Sequence, residues 1–195
     1  MTLTIAIVAA GAMGAAVGAQ LVKAGLTVYT NLDGRSESTR KRAAEAGLVD
    51  LPFPELITRS DFFLSILPPS DARALAEKVL SIAQNIDIGK RISPLVYVDC
   101  NAVNPQTLKS IYALFEGSGI KFVDASIIGG PPDGVYKPTF YASAQPEEQE
   151  ILENFVALSN YGLKVKALRG EGSGIGDASA LKMSYAVSLL HLFND

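Results

Sequence analysis

Residues 2–22 read TLTIAIVAAGAMGAAVGAQLV, and this stretch decides the fold of the chain. Its first part is apolar and rich in β-branched residues, which predicts a buried strand that ends near Val8. The turn Ala9–Gly14 follows and consists almost entirely of small residues. Beyond it, apolar residues recur at the spacing of a helix, at Met13, Val17 and Leu21. A strand, a tight turn and a helix in this order predict the first half of a βαβ unit.

The turn has the composition of a diphosphate-binding loop. A diphosphate rests on the backbone N–H groups at a helix N-terminus, and a side chain there would hold it away. Within the pattern G-x-G-x-x-G, Ala9 stands in place of the first glycine. The residues predicted to bind the cofactor in this turn are Gly11, Ala12, Met13 and Gly14. A turn that only joins a buried strand to a helix is the alternative at this point.

Composition excludes several classes of protein. The chain has 195 residues, 48% of them hydrophobic, so it can bury a sizeable core. A net charge of −3 argues against a nucleic-acid or anionic-membrane partner. One cysteine and one histidine exclude a disulfide framework and a His/Cys metal site, and they are typical of a cytoplasmic protein. Glycines interrupt residues 2–22 and no basic region precedes them, so this stretch does not read as a membrane span or a secretory segment.

The next strand, predicted over residues 26–31, bears on the type of cofactor. In a dinucleotide site an acidic residue about 20 positions after the glycines binds the ribose 2′-hydroxyl of NAD. Asn31 occupies that position, and Arg35 and Ser36 follow, a combination that suits the 2′-phosphate of NADP. We therefore expect NADP rather than NAD. Asp33 supports the opposite interpretation, because its carboxylate could accept the 2′-hydroxyl of NAD.

Strands and helices alternate along the rest of the chain. Further strands are predicted at 48–49, 62–67, 95–99, 120–125, 139–144 and 163–168. Helices are predicted at 36–46, 71–84, from 105 onward, at 146–160 and at 178–193. This alternation predicts an α/β fold with a doubly wound, mostly parallel sheet of the Rossmann type, in which 139–144 turns antiparallel.

Two of these strands end in residues suited to a ligand site, since ligands of open α/β sheets bind at the carboxyl ends of the strands. Leu67, Pro68 and Pro69 are predicted to form a wall of the cofactor site. Asn101 follows the next strand along the chain, where its amide could bind a ribose or a substrate, or could simply stabilise a turn.

The last predicted helix is apolar almost all round, with Lys182 as its single charge. Such a helix is buried or pairs with another chain, which predicts a homodimer through this helix or a chain that forms the front part of a longer protein. We expect a dinucleotide-binding domain over residues 1–171 and an interdomain or dimerisation helix over 172–195. His191 is predicted to be a core or interface histidine.

Lys182 allows two interpretations. In an apolar setting, burial lowers the pKa of a lysine toward neutrality, which makes its amine a usable general acid or base. A lysine can also extend its ammonium to the surface and have no chemical role.

Five stretches together, in their order along the chain, resemble the β-hydroxyacid dehydrogenases, which are relatives of 6-phosphogluconate dehydrogenase. The family segments G-x-G-x-M-G, L-P, D-x-S-T-x-x-P, D-A-P-V-S-G-G and G-x-G-x-x-x-K are similar to Ala9–Gly14, Leu67–Pro69, Asp99–Pro105, Asp124–Gly130 and Gly176–Lys182. The chain departs from these segments at a few positions. Asn101 and Ala102 replace Ser and Thr, Ser126 and Ile128 replace Pro and Ser, Ala178 replaces Gly, and Tyr185 stands where the family has Asn.

The resemblance implies an NADP-dependent oxidoreductase that acts on a small hydroxy or keto acid. Lys182 would be the catalytic acid or base, and Gly129 and Gly130 would bind the substrate's acid group, beside Ser126 and Tyr185. Members of this family continue into a helical second domain that closes the site and dimerises, and this sequence ends before such a domain. Two rival functions stay open: a cofactor-binding module without turnover, and an imine reductase, although that group usually has another residue in place of Lys182.

Overall fold

The computed structural model describes residues 3–86, 88 and 91–192 and, for residues 189–192, the backbone alone. Its strands are β1 Thr4–Val8, β2 Thr27–Thr30, β3 Val49–Asp50, β4 Phe62–Ser65, β5 Val96–Asp99, β6 Lys121–Ile128, β7 Thr139–Ser143 and β8 Lys164–Ala167. Its α-helices are α1 Ala12–Lys23, α2 Glu37–Glu45, α3 Phe53–Arg59, α4 Ala72–Asn85, α5 Pro105–Tyr112, α6 Gln149–Val156 and α7 Asp177–Leu192. The predicted helix at 146–160 is in fact α6 with a 3₁₀ turn at each end.

The strands form one sheet in the order β3-β2-β1-β4-β5-β6-β7-β8. All neighbours are parallel except β6 and β7, so the predicted antiparallel strand is confirmed. The chain order reverses beside β1, which pairs with β2 on one side and β4 on the other. In doubly wound folds a ligand crevice forms where the strand order reverses, at the carboxyl ends of the strands. This Rossmann-type topology agrees with the sequence-based prediction.

The core lies in two layers, one on each face of the sheet. One layer packs α1 and α6 against the strands through buried side chains that include Leu21, Val17 and Phe155. The other packs α3, α4 and α5 through Leu56, Val79 and Leu108. Parallel strands that are covered on both faces consist of continuous apolar runs, which explains why residues 62–67 have no polar alternation.

Helix α7 is less buried than the apolar pattern predicts. Its first turn packs against β6, β7 and α5, and Ala178 and Ser179 are buried there. From Ser184 to Ser188 every residue is exposed. The expectation for the His191 side chain, like the predicted end of the helix at 193, lies outside the described residues. Within the described part of the chain, no helix is long and apolar enough to cross a bilayer.

The glycine turn between β1 and α1 is tightly packed on one side only. A Cβ atom at Gly14 would lie 2.0 Å from the carbonyl oxygen of Ala9, whereas a Cβ at Gly11 would have no heavy atom within 4 Å. Gly14 is therefore required for the helix to approach the strand, while the space beside Gly11 is open.

We expect Gly14→Ala to destabilise the protein by about 1–3 kcal/mol, because the backbone of Ala9 cannot move away as a flexible side chain could. The measurement is the free energy of unfolding in denaturant. Gly130→Ala is the matched control, since a Cβ there meets nothing within 4 Å; its effect should stay within about 0.5 kcal/mol. Equal stability of the two variants would contradict this packing.

Candidate active site

Two clefts open at the carboxyl edge of the sheet, and Leu67 lines both. The first, here the lysine cleft, has a volume of about 380 Å³. Its walls are Met13, Ile66, Leu67, Cys100, Asn101, Ala102, Ile127, Ile128, Gly129, Lys182, Tyr185 and Ala186. The second, here the arginine cleft, has a volume of about 320 Å³. Its walls are Val8, Asn31, Asp33, Gly34, Arg35, Phe53, Leu67, Asp71, Ala74, Leu75 and Lys78.

Each cleft has a lining residue close to the N-terminus of α1. Met13, in the first turn of that helix, belongs to the lysine cleft, and Val8, at the end of β1, belongs to the arginine cleft. Gly11 is the N-cap residue and offers no side chain to accept the first N–H groups of the helix. Because these groups have no partner within the helix, they are available to an anion. An extended ligand with a central diphosphate fits this arrangement, with one end in each cleft.

The arginine cleft contains most of the residues predicted to select the cofactor. Asn31 is buried, and its amide nitrogen donates to Asp33 Oδ2 and to the Leu51 carbonyl, both at 2.9 Å. Asp33 and Arg35 both line the cleft. The residue that favours NAD and the residue that favours NADP are therefore both in position to contact the cofactor. Ser36 instead caps α2, its hydroxyl oxygen accepting the N–H of Thr39 at 3.3 Å, and it is not among the lining residues.

Asn101 joins the ends of two strands. Its Oδ1 accepts the N–H of Leu67 at 2.7 Å, and its amide nitrogen donates to Ser65 Oγ at 2.8 Å. The residue is 2% exposed, so its side-chain amide is occupied within the protein although the residue lines the lysine cleft. Asn101 thus fixes the backbone of Leu67, the residue that lines both clefts. Pro68 and Pro69 are exposed and begin the 3₁₀ turn after that wall; neither is among the residues lining the two clefts.

The buried carboxylate of Asp124 anchors the helix that carries Lys182. Its Oδ2 accepts the backbone N–H groups of Gly176 at 3.1 Å and Ser179 at 3.0 Å, and the hydroxyl of Ser143 at 3.3 Å. Its Oδ1 accepts the Ser179 hydroxyl at 2.9 Å. The positive end of the helix dipole favours a carboxylate in this place. Burial raises the pKa of Asp124 to about 6, and these hydrogen bonds oppose that rise.

Lys182 is partly buried, in the second turn of α7. Burial lowers the pKa of its ammonium, while the negative charge of Asp99 raises it. Cys100 lines the same cleft, and burial raises the pKa of its thiol well above the ordinary value. The cysteine is therefore a packed neutral thiol.

The residues predicted to bind substrate do not all reach the lysine cleft. Gly129 and Tyr185 line it, whereas the exposed Gly130 is not among its lining residues. Ser126 is fully buried within β6, and its hydroxyl has no hydrogen-bond partner among the described residues. The predicted strand ends at 125, whereas β6 continues to Ile128, so Ser126 lies inside the strand on the same face as Asp124, and its substrate-binding role stays a prediction.

Sequence reasoning missed the polar network beneath the site. Asp99 and Asp124 belong to the family segments but were assigned no role, and both are about 1% exposed at paired positions of β5 and β6. The available signal was an acidic residue at the end of each of two apolar runs. Lys78 of α4, whose ammonium lies 3.9 Å from the Phe53 ring centroid, was missed as well. Among the described residues, no cluster of His, Cys, Asp and Glu could hold a metal ion.

Replacing Asp124 by Asn should destabilise the protein at pH 8 by about 1.5–3 kcal/mol, because the amide nitrogen would face donors and leave them unpaired. The measurement is denaturant unfolding. Ser143→Ala leaves the carboxylate and removes one of its four donors, together with the acceptor of the Ala178 N–H, so it should cost about 1–2 kcal/mol. A variant as stable as the wild type would show that the Asp124 carboxylate does not anchor α7.

Comparison with known proteins agrees with the motifs. The family described as the NAD binding domain of 6-phosphogluconate dehydrogenase matches residues 4–167. An uncharacterised 28.5 kDa protein of Methanothermus fervidus is 30% identical over 183 residues, which cover 90% of this chain and 64% of that protein. The mitochondrial 3-hydroxyisobutyrate dehydrogenase of Drosophila melanogaster is 25% identical over 187 residues, covering 95% of this chain and 55% of that protein.

Among solved structures, the 3-hydroxyisobutyrate dehydrogenase of Mycobacterium tuberculosis, studied with L-serine, superposes with a TM-score of 0.75. It is 20% identical, and the match covers 97% of this chain and 60% of that one, so it supports the fold alone. The chain spans between 55% and 64% of the length of these three proteins. The resemblance inferred from five motifs is confirmed: the chain belongs to the family of NAD binding domains of 6-phosphogluconate dehydrogenase.

Proposed function

We propose that the protein is an oxidoreductase that transfers a hydride between NADP(H) and a small hydroxy or keto acid, with Lys182 as the acid or base. One observation carries the proposal: Lys182 lines the same cleft as Met13 of the glycine turn and Gly129 of the β6 end. An amine, the end of a dinucleotide site and an exposed backbone turn thus converge on one cavity.

The residues present fit a dinucleotide. The amides that follow Gly11 would hold the diphosphate, Leu67 would separate its two halves, and Arg35 would face the 2′-phosphate from the wall of the arginine cleft. Once bound, the nicotinamide supplies or accepts the hydride, and the protein provides orientation and electrostatics. NAD is the alternative cofactor if the fixed carboxylate of Asp33 takes the ribose instead.

Lys182 would handle the proton that accompanies the hydride. In reduction its ammonium donates a proton to the substrate's carbonyl oxygen, and in oxidation its neutral amine removes a proton from the hydroxyl. Because burial lowers the pKa of Lys182, both forms become accessible nearer to neutral pH.

The substrate's acid group would be bound by backbone N–H groups at Gly129 and Gly130. Gly129 has φ of 124°, a backbone conformation that residues with a side chain rarely adopt, so glycine is favoured at this turn. Tyr185 would complete the site from α7. The apolar side chains of Ile66, Ile127 and Ile128 favour a small, partly apolar substrate.

The exposed part of α7 suits the further expectation of a homodimer. Leu181, Tyr185 and Val187 are apolar or aromatic and 36–53% exposed. We propose that residues 172–195 serve as a dimerisation or interdomain helix beyond the dinucleotide-binding domain of residues 1–171. A cytoplasmic location remains a prediction from composition.

Two rival functions can be separated from this one by their substrates. Oxidation of NADPH by an aldehyde acid supports the dehydrogenase, and oxidation by a cyclic imine supports an imine reductase. NADPH binding without turnover of either substrate supports a cofactor-binding module.

Replacing Lys182 by Met should lower kcat by about 10²–10⁴-fold, the usual contribution of a general acid or base, while NADPH binding stays nearly intact. Steady-state kinetics and a fluorescence titration with NADPH measure the two effects. Lys164→Met, which changes an exposed lysine on β8, is the matched control and should leave both unchanged. Equal losses of turnover and cofactor binding would assign Lys182 a structural role.

Replacing Arg35 by Ala should weaken NADPH binding by about tenfold, or roughly 1.4 kcal/mol, and leave NADH binding unchanged. The dissociation constants are measured by titration of each cofactor. Lys41→Ala is the control cation, because Lys41 is exposed on α2 and is not among the residues lining the arginine cleft. A wild-type protein that binds the two cofactors equally would remove the role of Arg35.

A further inference from the structure

Asp99 stands at the end of β5, directly beside Asp124. The register of the parallel strands pairs Asp99 with Ser65 of β4 on one side and with Asp124 of β6 on the other. Side chains at paired positions point to the same face of a sheet, and hydrogen bonds place Asp124 on the face covered by α7. The Asp99 carboxylate therefore lies on the face of the sheet that is covered by α7, the helix that carries Lys182.

The carboxylates of Asp99 and Asp124 differ in the number of hydrogen bonds that they accept. Asp124 accepts four hydrogen bonds. Asp99 accepts the N–H of Asn101 at 2.9 Å through Oδ1, and its buried Oδ2 has no hydrogen-bond partner among the described residues. A buried carboxylate oxygen without a donor is costly, so it calls for a compensating charge or a proton.

Several titratable groups surround Asp99. The charge of Asp124 disfavours its ionised form, and the ammonium of Lys182 favours it. The charge of Asp99 also contributes to the raised pKa values of Tyr97, on the same strand, and of Cys100, which directly follows it. Lys109 of α5 lies farther along, with its side chain against Gly176. Of these groups, Lys182 alone acts on Asp99 as a positive charge.

We propose that Asp99 is a positioning residue for Lys182, its unpaired carboxylate oxygen being the buried counter-charge that keeps the lysine protonated and directed into the lysine cleft. This inference deepens the proposed function, because it names the group that sets the protonation state of the acid. Asp99 does not contact the reacting atoms in this account; it acts through Lys182.

The pH dependence follows from the signs of the two effects. Burial raises the pKa of Asp99 to about 7, so Asp99 is ionised and supports the ammonium of Lys182 mainly above neutral pH. Asp99→Asn removes that support and should lower the pKa of Lys182. In the direction of reduction, where the ammonium is the active form, the fall of kcat at high pH should then begin at a lower pH.

The direct test follows the titration of the lysine itself in the cofactor-free protein. Lysine side chains are labelled with ¹³C and ¹⁵N, and the Lys182 signal is assigned by its loss in Lys182→Met. We expect its titration midpoint to move to lower pH in Asp99→Asn. Tyr97→Phe is the matched control: it removes a buried hydroxyl from the same face of β5 and changes no charge at working pH, because burial raises the pKa of Tyr97 well above its ordinary value.

The reciprocal measurement follows the carboxyl carbon of Asp99, assigned through bonds from its own backbone signals, so it does not depend on the Asp99→Asn variant. Removing the ammonium in Lys182→Met should raise the titration midpoint of Asp99. If Asp99→Asn does not fold, this second arm alone decides. Midpoints that move no further than those of Tyr97→Phe would overturn the inference.

The two outcomes also separate this inference from the proposed function. Midpoints that shift in a protein without turnover would leave the Asp99–Lys182 pair intact and would contradict the oxidoreductase. Unmoved midpoints in an active enzyme would overturn the role of Asp99 and leave the proposed function standing.

Discussion

The site depends on one buried carboxylate at a helix N-terminus. Asp124 accepts the N–H groups of Gly176 and Ser179, so the start of α7 is fixed to the middle of β6. The direction of α7 then determines where Lys182 lies, since side chains one or two turns along a helix follow the orientation of its first turn. Ser143 adds a second link, because its hydroxyl donates to Asp124 and accepts the N–H of Ala178. A polar network in an otherwise apolar core is effective when its members are satisfied, and Asp124 meets that condition.

The carboxyl edge of the sheet contains two separate clefts with different chemical properties. Near β1 and β2 it offers backbone amides and a small charged cleft, which suit the phosphates and ribose of a dinucleotide. Near β5 and β6 it offers a mainly apolar cavity with one amine, which suits a reaction at a carbonyl or hydroxyl group. Leu67 stands between the two, and the Asn101 side chain holds its backbone from a position 34 residues away. This division follows from the reversal of strand order beside β1.

Local patterns predicted the parts of the molecule that local chemistry determines. The alternation of strands and helices predicted the sheet correctly. The glycine turn and the motif around Lys182 each occupy a short stretch, and both contribute residues to the candidate site. The network beneath the site joins distant residues: Asp124 and Ser179 are 55 positions apart, and their hydrogen bonds exist only after the strands have assembled. Ser126 lies inside a strand because pairing with β7 extends β6 to Ile128, whereas the predicted strand ended at 125. The exposure of the outer part of α7 could not be predicted either, because an apolar helix is expected both when it is buried within its own chain and when it pairs with another chain.

The central claim is that one ligand spans both clefts and presents its reactive end to Lys182. A crystal structure of the protein with NADPH bound tests this claim most directly. The account predicts the diphosphate on the amides that follow Gly11, the adenosine end in the arginine cleft and the nicotinamide within the lysine cleft beside the Lys182 amine. Phosphates bound elsewhere, or an amine that points into bulk water while α7 stays docked on Asp124, would contradict it.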